Sequence, residues 1–466
     1  MTTTYAHFIG IGGAGMSGIA KVLHERGRAV TGSDMRRSRY STALAEMGVP
    51  VQIGHDPANL GDPEVVVVSS AIPESNPELA EARRRGLPVW PRAKMLAELA
   101  GDRLTVAVAG THGKTSTSSM AAAAFTAAGQ DPTFLIGGEL TGIGTNARGG
   151  DGRFYVVEAD ESDGSFLLLD PYCAIVTNVE ADHLDHYASL AEIVETFEVF
   201  LSHVRPDGVA VLCADDAVLR GIASDATRRT VTYGVAEDAD VRMLSYSAGG
   251  AGSDFEVTFP DETRIACHVG TPGRHMALNA TAVLAAAWAL DIDVHLCAEG
   301  IGSFSGVKRR FETVGEVGGV RVVDDYAHHP TEVRATLGAA RAATDPESDV
   351  WVVFQPHRYT RTAALAGEFG EAFPSADRVV LLDVYSAGEA PVPGVSGKTL
   401  VDAVLRAHPR TRLAYFPHRA AVAEYVARRA RPGDIVLTMG AGDVTTMGPE
   451  IVRALTEQAE QAGGQA

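Results

Sequence analysis

Short apolar runs rich in β-branched residues alternate with amphipathic stretches along the chain. In the first hundred residues the runs are AHFIGI, AVTGSD, EVVVVSS and LPVW, and an amphipathic stretch begins at about Met16. Strands that alternate with helices in this way predict β-α-β units and a parallel sheet. The alternation starts again at LTVAVAG and once more at GVRVVDDYAHHP. The pattern therefore predicts an α/β fold built from several such sheets.

The length of the chain agrees with more than one hydrophobic core. Domains usually hold roughly 100 to 200 residues, so 466 residues predict about three domains. The first boundary falls after AELAGDR and the second after GSFSGVKRRFE. We expect domains at residues 1–102, 103–314 and 315–466.

The composition of the chain limits which partners it can bind and in which compartment we expect it. A formal net charge of −19 disfavours nucleic acid and anionic lipid as partners. The apolar runs are too short or too interrupted to span a bilayer, and no basic region with an apolar stretch opens the chain. We expect a cytoplasmic protein without a membrane segment. Cys173, Cys213, Cys267 and Cys297 lie far apart, which argues against a structural zinc site and a disulfide framework.

The first glycine-rich stretch follows the first predicted strand. Gly10, Gly12 and Gly15 fit the G-x-G-x-x-G pattern, in which glycines let a pyrophosphate approach the N-terminus of a helix. Asp34 ends the second strand at a distance suited to a ribose-binding carboxylate. We expect a bound nucleotide of unspecified type, and the alternative is a glycine turn with only a structural role.

A second glycine-rich stretch, AVAGTHGKTSTSSM at residues 107–120, also follows a buried strand. The strict P-loop pattern requires a glycine where this chain has Val108, so the match is partial. The glycine turn, Lys114 and the following helix still predict a phosphate site, in which Thr115 can hold Mg²⁺. The alternative is an alanine-rich helix that merely begins with G-K-T.

Acidic residues follow two neighbouring strands. Glu158 ends FYVVE and could anchor a hard cation. A second loop gathers Asn178, Asp182, His183, Asp185 and His186, in which oxygen preference favours the aspartates over His183 as Mg²⁺ ligands. A solvated loop explains this cluster as readily as a metal site does.

Seven stretches in this order resemble the Mur ligases: GIGGAGMSGIA, GTHGKTS, VEADESDGSF, TNVEADHLDHY, RHMALNATA, DDYAHHPTE and QPHRYTRT. The resemblance covers nearly the whole chain. It implies an N-terminal Rossmann-like domain that binds a UDP sugar, a central P-loop ATPase-type α/β domain, and a C-terminal Rossmann-like domain for the incoming amino acid. Two glycine loops would then bind two separate polyphosphates.

The resemblance also implies roles for individual residues. It makes Lys114, His183 and Arg310 catalytic, and Thr115, Glu158 and His183 metal ligands. Asn279 would contact adenine, whereas a solvent-facing helix amide is its alternative, and for Arg310 the alternative is a solvated basic turn. The implied ATP site comprises Gly110, Thr111, His112, Gly113, Lys114, Thr115, Ser116, Asn279 and Arg310. The implied UDP-sugar site comprises Gly12, Gly15, Asp34, Ser70, Asn146 and Ser162.

Further ionisable residues follow apolar strands in the third domain. Asp325, Tyr326, His328, Arg358 and Arg361 lie at the carboxyl edge where doubly wound sheets bind ligands. The resemblance assigns them to the amino-acid or acyl-phosphate site, and two arginines suit a carboxylate or phosphate. The alternative for the histidines is polar capping of a helix that begins near Pro330.

The activity that the resemblance implies is ATP-dependent amide formation, with L-alanine joined to the lactyl carboxylate of UDP-N-acetylmuramate. ATP and Mg²⁺ are the expected cofactors, Mn²⁺ is a possible substitute, and the enzyme is expected to be a monomer or homodimer. No lysine lies between Lys114 and Lys308, so the carbamylated lysine of later-acting sister ligases has no counterpart. The alternatives are a recycling ligase that attaches a tripeptide to the same UDP sugar, and an NAD-dependent oxidoreductase.

Overall fold

The computed structural model describes residues 4–69, 71–183, 186–224, 228–249 and 252–463. Its strands form sheets of five, ten and six strands, which confirms the three-domain α/β organisation. The chain packs into two compact units: the first comprises Met1–Met243, Val257–Ile265 and Asn279–Ile301, and the second comprises Leu244–Glu256, Ala266–Leu278 and Gly302–Ala466. Ser70 and Asp185, both named above, lie outside the described residues.

The first sheet is parallel and follows the predicted alternation. Its strands are β1 (Thr4–Ile9), β2 (Val30–Asp34), β3 (Val51–Ile53), β4 (Pro63–Val68) and β5 (Val89–Pro91), with helices α1 (Ala14–Glu25), α2 (Arg39–Glu46), α3 (Pro77–Arg84) and α4 (Arg92–Glu98). The strand order is β3-β2-β1-β4-β5. The order reverses beside β1, so the first glycine loop opens at the edge where such sheets bind ligands.

The second sheet has ten strands in the order β15-β14-β13-β12-β11-β10-β6-β9-β7-β8. They are β6 (Leu104–Ala109), β7 (Thr133–Leu140), β8 (Thr145–Arg148), β9 (Phe154–Glu158), β10 (Cys173–Val176), β11 (Val209–Cys213), β12 (Thr230–Gly234), β13 (Val241–Gly249), β14 (Gly252–Thr258) and β15 (Arg264–Val269). Its helices are α5 (Lys114–Ala127), α6 (Leu190–Ser202), α7 (Ala217–Ser224), α8 (Arg274–Ala289) and α9 (Val294–Gly302). The alanine-rich α8 is the long helix that the sequence predicts.

The register around β6 positions the chemistry of the central domain. Strand β6 is fully apolar after its first residues and pairs in parallel with both β9 and β10. Val108 lies opposite Glu158 on one side and Ile175 on the other. Since parallel strands end at the same edge of a sheet, the loops that follow these three strands are neighbours.

The third sheet belongs to the second unit and has the order β16-β17-β21-β18-β19-β20. Its strands are β16 (Glu312–Val317), β17 (Val320–Asp325), β18 (Val350–Phe354), β19 (Arg378–Leu382), β20 (Arg412–Phe416) and β21 (Ile435–Met439). Its helices are α10 (Pro330–Ala342), α11 (Tyr359–Ala364), α12 (Ala366–Gly370), α13 (Gly397–Ala407), α14 (Val422–Ala427) and α15 (Met447–Gly463). Only the β16–β17 pair is antiparallel among the pairs whose register is described.

Apolar side chains cover both faces of this third sheet. Val352 and Phe354 of β18 pack with α10 and α13 on one face, while Trp351 and Val353 pack with α14 and α15 on the other. Alternate residues of one strand thus enter two cores, as expected of a parallel sheet between two helical layers. Among the described helices, none is long and apolar enough to cross a membrane.

Candidate functional site

The second glycine loop joins β6 to α5 in a conformation that requires glycine. Gly110 has φ +124°, and a Cβ there would lie 2.2 Å from Thr177 Oγ1. Gly113, in the left-handed region with φ +85°, caps the N-terminus of α5. The loop therefore leads directly into the N-terminus of α5, where backbone N–H groups favour anionic ligands.

Asn279 packs directly against this loop. A Cβ on Gly113 would lie 2.9 Å from Asn279 Oδ1, and the Asn279 side chain is buried on α8. A solvent-facing helix amide, the alternative for this residue, is therefore excluded. The position beside the phosphate loop suits a contact with the nucleotide, although the adenine contact itself stays a prediction.

Residues after β10 fix the backbone of the loop. Asn178 Oδ1 accepts the His112 N–H at 2.8 Å, and its Nδ2 donates to the His112 carbonyl at 3.1 Å. Thr177 Oγ1 donates to the same carbonyl, and Thr111 Oγ1 accepts the Glu180 N–H at 2.9 Å. The shape of the phosphate loop is thus set by both chain segments that meet at this sheet edge.

Lys114 folds back over its own loop. Its Nζ donates to the carbonyl oxygens of Gly110 and Thr111 at 2.8 and 3.2 Å and to Glu161 Oε1 at 2.8 Å. Burial alone would lower the pKa of Lys114, but Glu161, Asp160 and Glu158 outweigh it, so the pKa is raised. The ammonium is therefore charged, as a phosphate-binding lysine must be.

Glu161 is the site residue that sequence reasoning missed. Its side chain is buried, and burial raises the pKa of this carboxyl to about 7 despite the contact with Lys114. Its second oxygen, Oε2, accepts no hydrogen bond from any residue that the structure describes. The stretch VEADES offered three carboxylates, and its spacing does not reveal which of them reaches the lysine.

The predicted metal ligands lie around the same point. Thr115 Oγ1 donates to Glu158 Oε1 at 3.2 Å, while Glu158 Oε2 accepts the Gly137 N–H at 2.9 Å. His183 Nε2 lies 3.8 Å from Glu161 Oε1. The backbone of His183 is in the left-handed region, with φ +53°. The Thr115 hydroxyl and the Glu158 carboxylate are oxygen donors of the kind that Mg²⁺ prefers, so these two residues fit the ion, and His183 as a ligand stays a prediction.

Asp34 holds the first glycine loop in place. Its Oδ2 accepts the Gly12 N–H at 2.9 Å, and Ser38 Oγ donates to the Gly12 carbonyl at the same distance. Gly15 lies in the first turn of α1, where the Arg92 side chain comes within 3.3 Å of the position of a Cβ. Arg92 is a cation beside this loop that the sequence pattern did not single out.

Residues of the central domain reach the helix behind the first loop. Asn146 Nδ2 donates to the Ala14 carbonyl at 3.3 Å, and Lys21 Nζ donates to Thr145 Oγ1 at 2.8 Å. Asn146 therefore lies beside the first glycine loop, as the predicted UDP-sugar site requires. Ser162 follows Glu161, and its N–H donates to Asp160 Oδ1 at 3.1 Å, so its contact with the UDP sugar stays a prediction.

In the second unit, Asp325 positions two backbone segments. Its Oδ2 accepts the Phe311 N–H and its Oδ1 accepts the Ala327 N–H, both at 2.8 Å. Burial raises the pKa of this carboxyl to about 6, although Arg310 opposes the shift. With both oxygens occupied by backbone, Asp325 is suited to hold the loop that carries Tyr326 and His328.

The two adjacent histidines have different surroundings. His329 is the N-cap of α10, where its ring accepts the Thr331 N–H at 3.4 Å, so the capping alternative applies to this residue. The ring centroid of His328 lies 5.9 Å from the ring centroid of His357. Glu332 accepts the N–H groups of both histidines, which fixes their backbone.

The predicted arginines gather near aromatic rings of the second unit. Arg310 lies over the Tyr326 ring at 5.1 Å, and its Nη1 is 4.0 Å from Glu332 Oε1. Its contact with ATP phosphates stays a prediction. Arg358 precedes α11 and Arg361 lies within it. Burial, reinforced by these two arginines, lowers the pKa of His357 to about 4.

Comparisons with known proteins agree with this arrangement. Residues 5–103 match the model described as "Mur ligase family, catalytic domain", residues 108–287 match "Mur ligase middle domain", and residues 309–442 match "Mur ligase, glutamate ligase domain". The chain is 49% identical to UDP-N-acetylmuramate–L-alanine ligase of Rubrobacter xylanophilus over 455 residues, which is 96% of this chain and 99% of that protein.

Two solved structures resemble the fold over nearly its full length. The crystal structure of UDP-N-acetylmuramate-alanine ligase MurC from Thermotoga maritima gives a TM-score of 0.79 at 28% identity and covers 97% of this chain and 99% of that one. A murein peptide ligase from Psychrobacter arcticus gives 0.70 at 26% identity and covers 97% and 98%.

Proposed function

The chain belongs to the Mur ligase family, and we propose that it joins L-alanine to the lactyl carboxylate of UDP-N-acetylmuramate with cleavage of ATP to ADP and orthophosphate. The observation that carries the proposal is the phosphate loop at residues 110–115, with the Lys114 ammonium held by Glu161 at the start of α5. A relative of nearly equal length and 49% identity bears the name of this ligase. Amide formation of this kind supplies a peptidoglycan precursor, and we assign it to the cytoplasm.

The chemistry requires activation of the sugar's carboxylate, because a carboxylate is a poor electrophile. A lactyl carboxylate oxygen attacks the γ-phosphorus of ATP, which forms an acyl phosphate and releases ADP. The neutral amine of L-alanine then attacks the carbonyl carbon, and the tetrahedral intermediate expels orthophosphate as the amide forms. The ammonium proton of the amino acid is lost to a base before or during this attack.

Lys114 and the loop amides stabilise the negative charge that develops on the transferring phosphoryl group. To do so, the ammonium exchanges its contact with Glu161 for phosphate oxygens. Thr115, Glu158 and His183 are the residues that would hold Mg²⁺. The ion supplies positive charge that offsets the charge of the β- and γ-phosphates.

The remaining predicted residues bind the UDP sugar, or the amino acid and the acyl phosphate. Gly12, Gly15 and Asn146 are assigned to the UDP sugar, since they lie together at the first glycine loop. Arg358 and Arg361 are assigned to the carboxylate of L-alanine or to the acyl phosphate. Both follow β18 at the carboxyl edge of its sheet.

A coupled ADP-release assay with mass spectrometry of the products tests this function. We expect sustained ADP release only when ATP, UDP-N-acetylmuramate and L-alanine are all present, together with a product one alanyl residue heavier than the sugar. The similarity to a murein peptide ligase makes the tripeptide the necessary second acceptor. A higher kcat/KM with the tripeptide than with L-alanine would assign the chain to that activity instead.

A further inference from the structure

The loop between β19 and α13 places one carboxylate on the short helix α11. Glu389 Oε2 accepts the N–H groups of Tyr359 and Thr360 at 2.7 and 3.2 Å, and its Oε1 accepts the Thr360 hydroxyl at 2.6 Å. The side chain of Arg358, the N-cap residue, does not cap this helix. Glu389, thirty residues further along the chain, therefore supplies the acceptors for the first turn of a helix that carries Arg361.

The same loop holds the residue before the helix. Arg358 has φ +68° and ψ 138°, a backbone conformation that costs energy for any residue except glycine. Its N–H donates to the Tyr385 carbonyl at 2.8 Å, and the Tyr385 N–H donates to the Pro356 carbonyl at 2.8 Å. The Tyr385 ring stacks on His357, with centroids 5.6 Å apart and an interplanar angle of 14°. Contacts on both sides of Arg358 thus stabilise a backbone that would otherwise relax.

We propose that Glu389 is a positioning residue for the ligase reaction, which fixes Arg358 and Arg361 in the geometry that binds a carboxylate or phosphoryl group of the substrates. The inference rests on the proposed function. Glu389 acts through Tyr359 and Thr360, so it is not a catalytic residue. Arg358 lies directly before α11 and Arg361 lies in its first turn, so the two guanidinium groups can hold one anion together only if this helix is fixed.

The ionisation state of Glu389 supports this role. Burial opposes ionisation, but hydrogen bonds from Thr360 and Tyr359 and the charge of Arg358 outweigh it and lower the pKa of the carboxyl. An ionised carboxylate can accept all three hydrogen bonds at once, whereas a neutral amide offers one oxygen. A glutamine at position 389 is therefore expected to restore only part of the function.

Kinetics of Glu389→Ala and Glu389→Gln test the proposal, with Glu368→Ala as the matched control. Glu368 is an exposed glutamate on α12, the next helix. We expect Glu389→Ala to lower kcat/KM for UDP-N-acetylmuramate or L-alanine by about 10- to 100-fold, as the loss of charged hydrogen bonds predicts. Glu389→Gln should lose less and the control nothing. Affinity for ADP, measured by calorimetry, should stay within about twofold in all variants, because the phosphate loop at residues 110–115 follows a strand of another sheet.

Two further measurements separate positioning from a general effect on the fold. Thr360→Val removes one donor, and in the Glu389→Ala background, where its acceptor is already absent, it should cause little additional loss. Hydrogen exchange at the amides of Tyr359 and Thr360 should quicken in Glu389→Ala and not in Glu368→Ala. If Glu389→Ala fails to fold, Glu389→Gln and Thr360→Val decide the question.

Folded Glu389→Ala and Glu389→Gln with kinetic constants within about twofold of the wild type would overturn the proposal. Equal losses in ADP affinity and in kcat/KM would overturn it too, because they indicate a general structural role. Wild-type protein without ligase activity would overturn the proposed function instead. The exchange measurement needs no turnover, so it still reports whether Glu389 holds α11.

Discussion

Replacement of Gly110 by alanine is expected to inactivate the ATP site without affecting the UDP-sugar site. Gly110 links β6 to the phosphate loop with φ +124°, where residues with a side chain are strained. Its new Cβ would lie 2.2 Å from Thr177 Oγ1, 2.9 Å from the Thr177 nitrogen and 3.0 Å from the Asn178 carbonyl oxygen. Two of these three atoms belong to the backbone, so rotation of a side chain cannot relieve the contact.

The size of the effect follows from two contributions. Backbone strain at such a position costs about 1–3 kcal/mol. Overpacking against a fixed neighbour costs about 1–3 kcal/mol more. The loop can escape only by moving away from Thr177 and Asn178, and displacement of a catalytic group by 1 Å can reduce the rate about 100-fold. We therefore expect kcat/KM for ATP to fall by about two orders of magnitude.

Gly129→Ala provides the matched control. Gly129 follows α5 with φ +72°, and nothing lies within 4 Å of the position of its Cβ. That substitution introduces strain without a clash, at about 1–2 kcal/mol.

The assay compares both variants by thermal unfolding, by ATP titration of ADP release and by calorimetric binding of UDP-N-acetylmuramate. Gly110→Ala should lose ATP turnover and retain sugar binding, while Gly129→Ala should keep its kinetic constants. The reasoning is refuted if Gly110→Ala retains kcat/KM for ATP within about threefold of the wild type, or if the control is equally damaged.

Three other predictions concern charged groups. Lys114→Ala should abolish phosphate release and leave calorimetric binding of the UDP sugar intact; surviving turnover would remove Lys114 from the ATP site. Glu158→Gln should raise the Mg²⁺ concentration for half-maximal activity about tenfold or more, because one charged ligand is lost; an unchanged Mg²⁺ titration would exclude it as a ligand. In the first domain, burial opposes ionisation of Glu78, but hydrogen bonds from His7, Ser33 and Asn59 lower its pKa to about 2. Because the folded pKa lies below the ordinary value, this stabilisation, at most about 3 kcal/mol, is present above pH 4.5 and lost as pH falls toward 2. Denaturant titrations should show this loss for the wild type, and Glu78→Gln should lack it.

Local patterns in the sequence were sufficient to predict the fold class and the positions of the two glycine loops. The alternation of apolar runs and amphipathic stretches predicted three α/β domains, and the two glycine loops lie between strand and helix as expected. These features depend on neighbouring residues, so their physical cause is present within one short stretch of chain. The long alanine-rich helix α8 was predicted for the same reason.

The partner of Lys114 could not be predicted in this way. Glu158, Asp160 and Glu161 lie within four residues, and the sequence pattern favoured Glu158 because it ends a strand. The structure places Glu158 against Thr115 and Glu161 against Lys114. That division depends on the register of β9 beside β6, in which Val108 lies opposite Glu158. The register is set by how the two strands pair, so the order of three acidic residues in one stretch does not reveal it.

The contacts of the third-domain residues could not be predicted from the sequence either. The sequence leaves helix capping open as the alternative to a site role for the histidines of DDYAHHP, and only the structure shows that His329 is the cap. No sequence pattern marks Glu389 and Tyr385, since each is separated by about thirty residues from the segment that it contacts. Their signal lies in tertiary contacts, which a single sequence does not reveal.

The central claim is that the carboxylate of the sugar becomes a mixed anhydride with phosphate before the amide forms. UDP-N-acetylmuramate labelled with oxygen-18 in its lactyl carboxylate tests this claim directly, with mass spectrometry of the orthophosphate released during turnover with L-alanine. One labelled oxygen should appear in each orthophosphate, because the oxygen that attacks the γ-phosphorus leaves with it. Amide product formed alongside unlabelled orthophosphate would contradict the account.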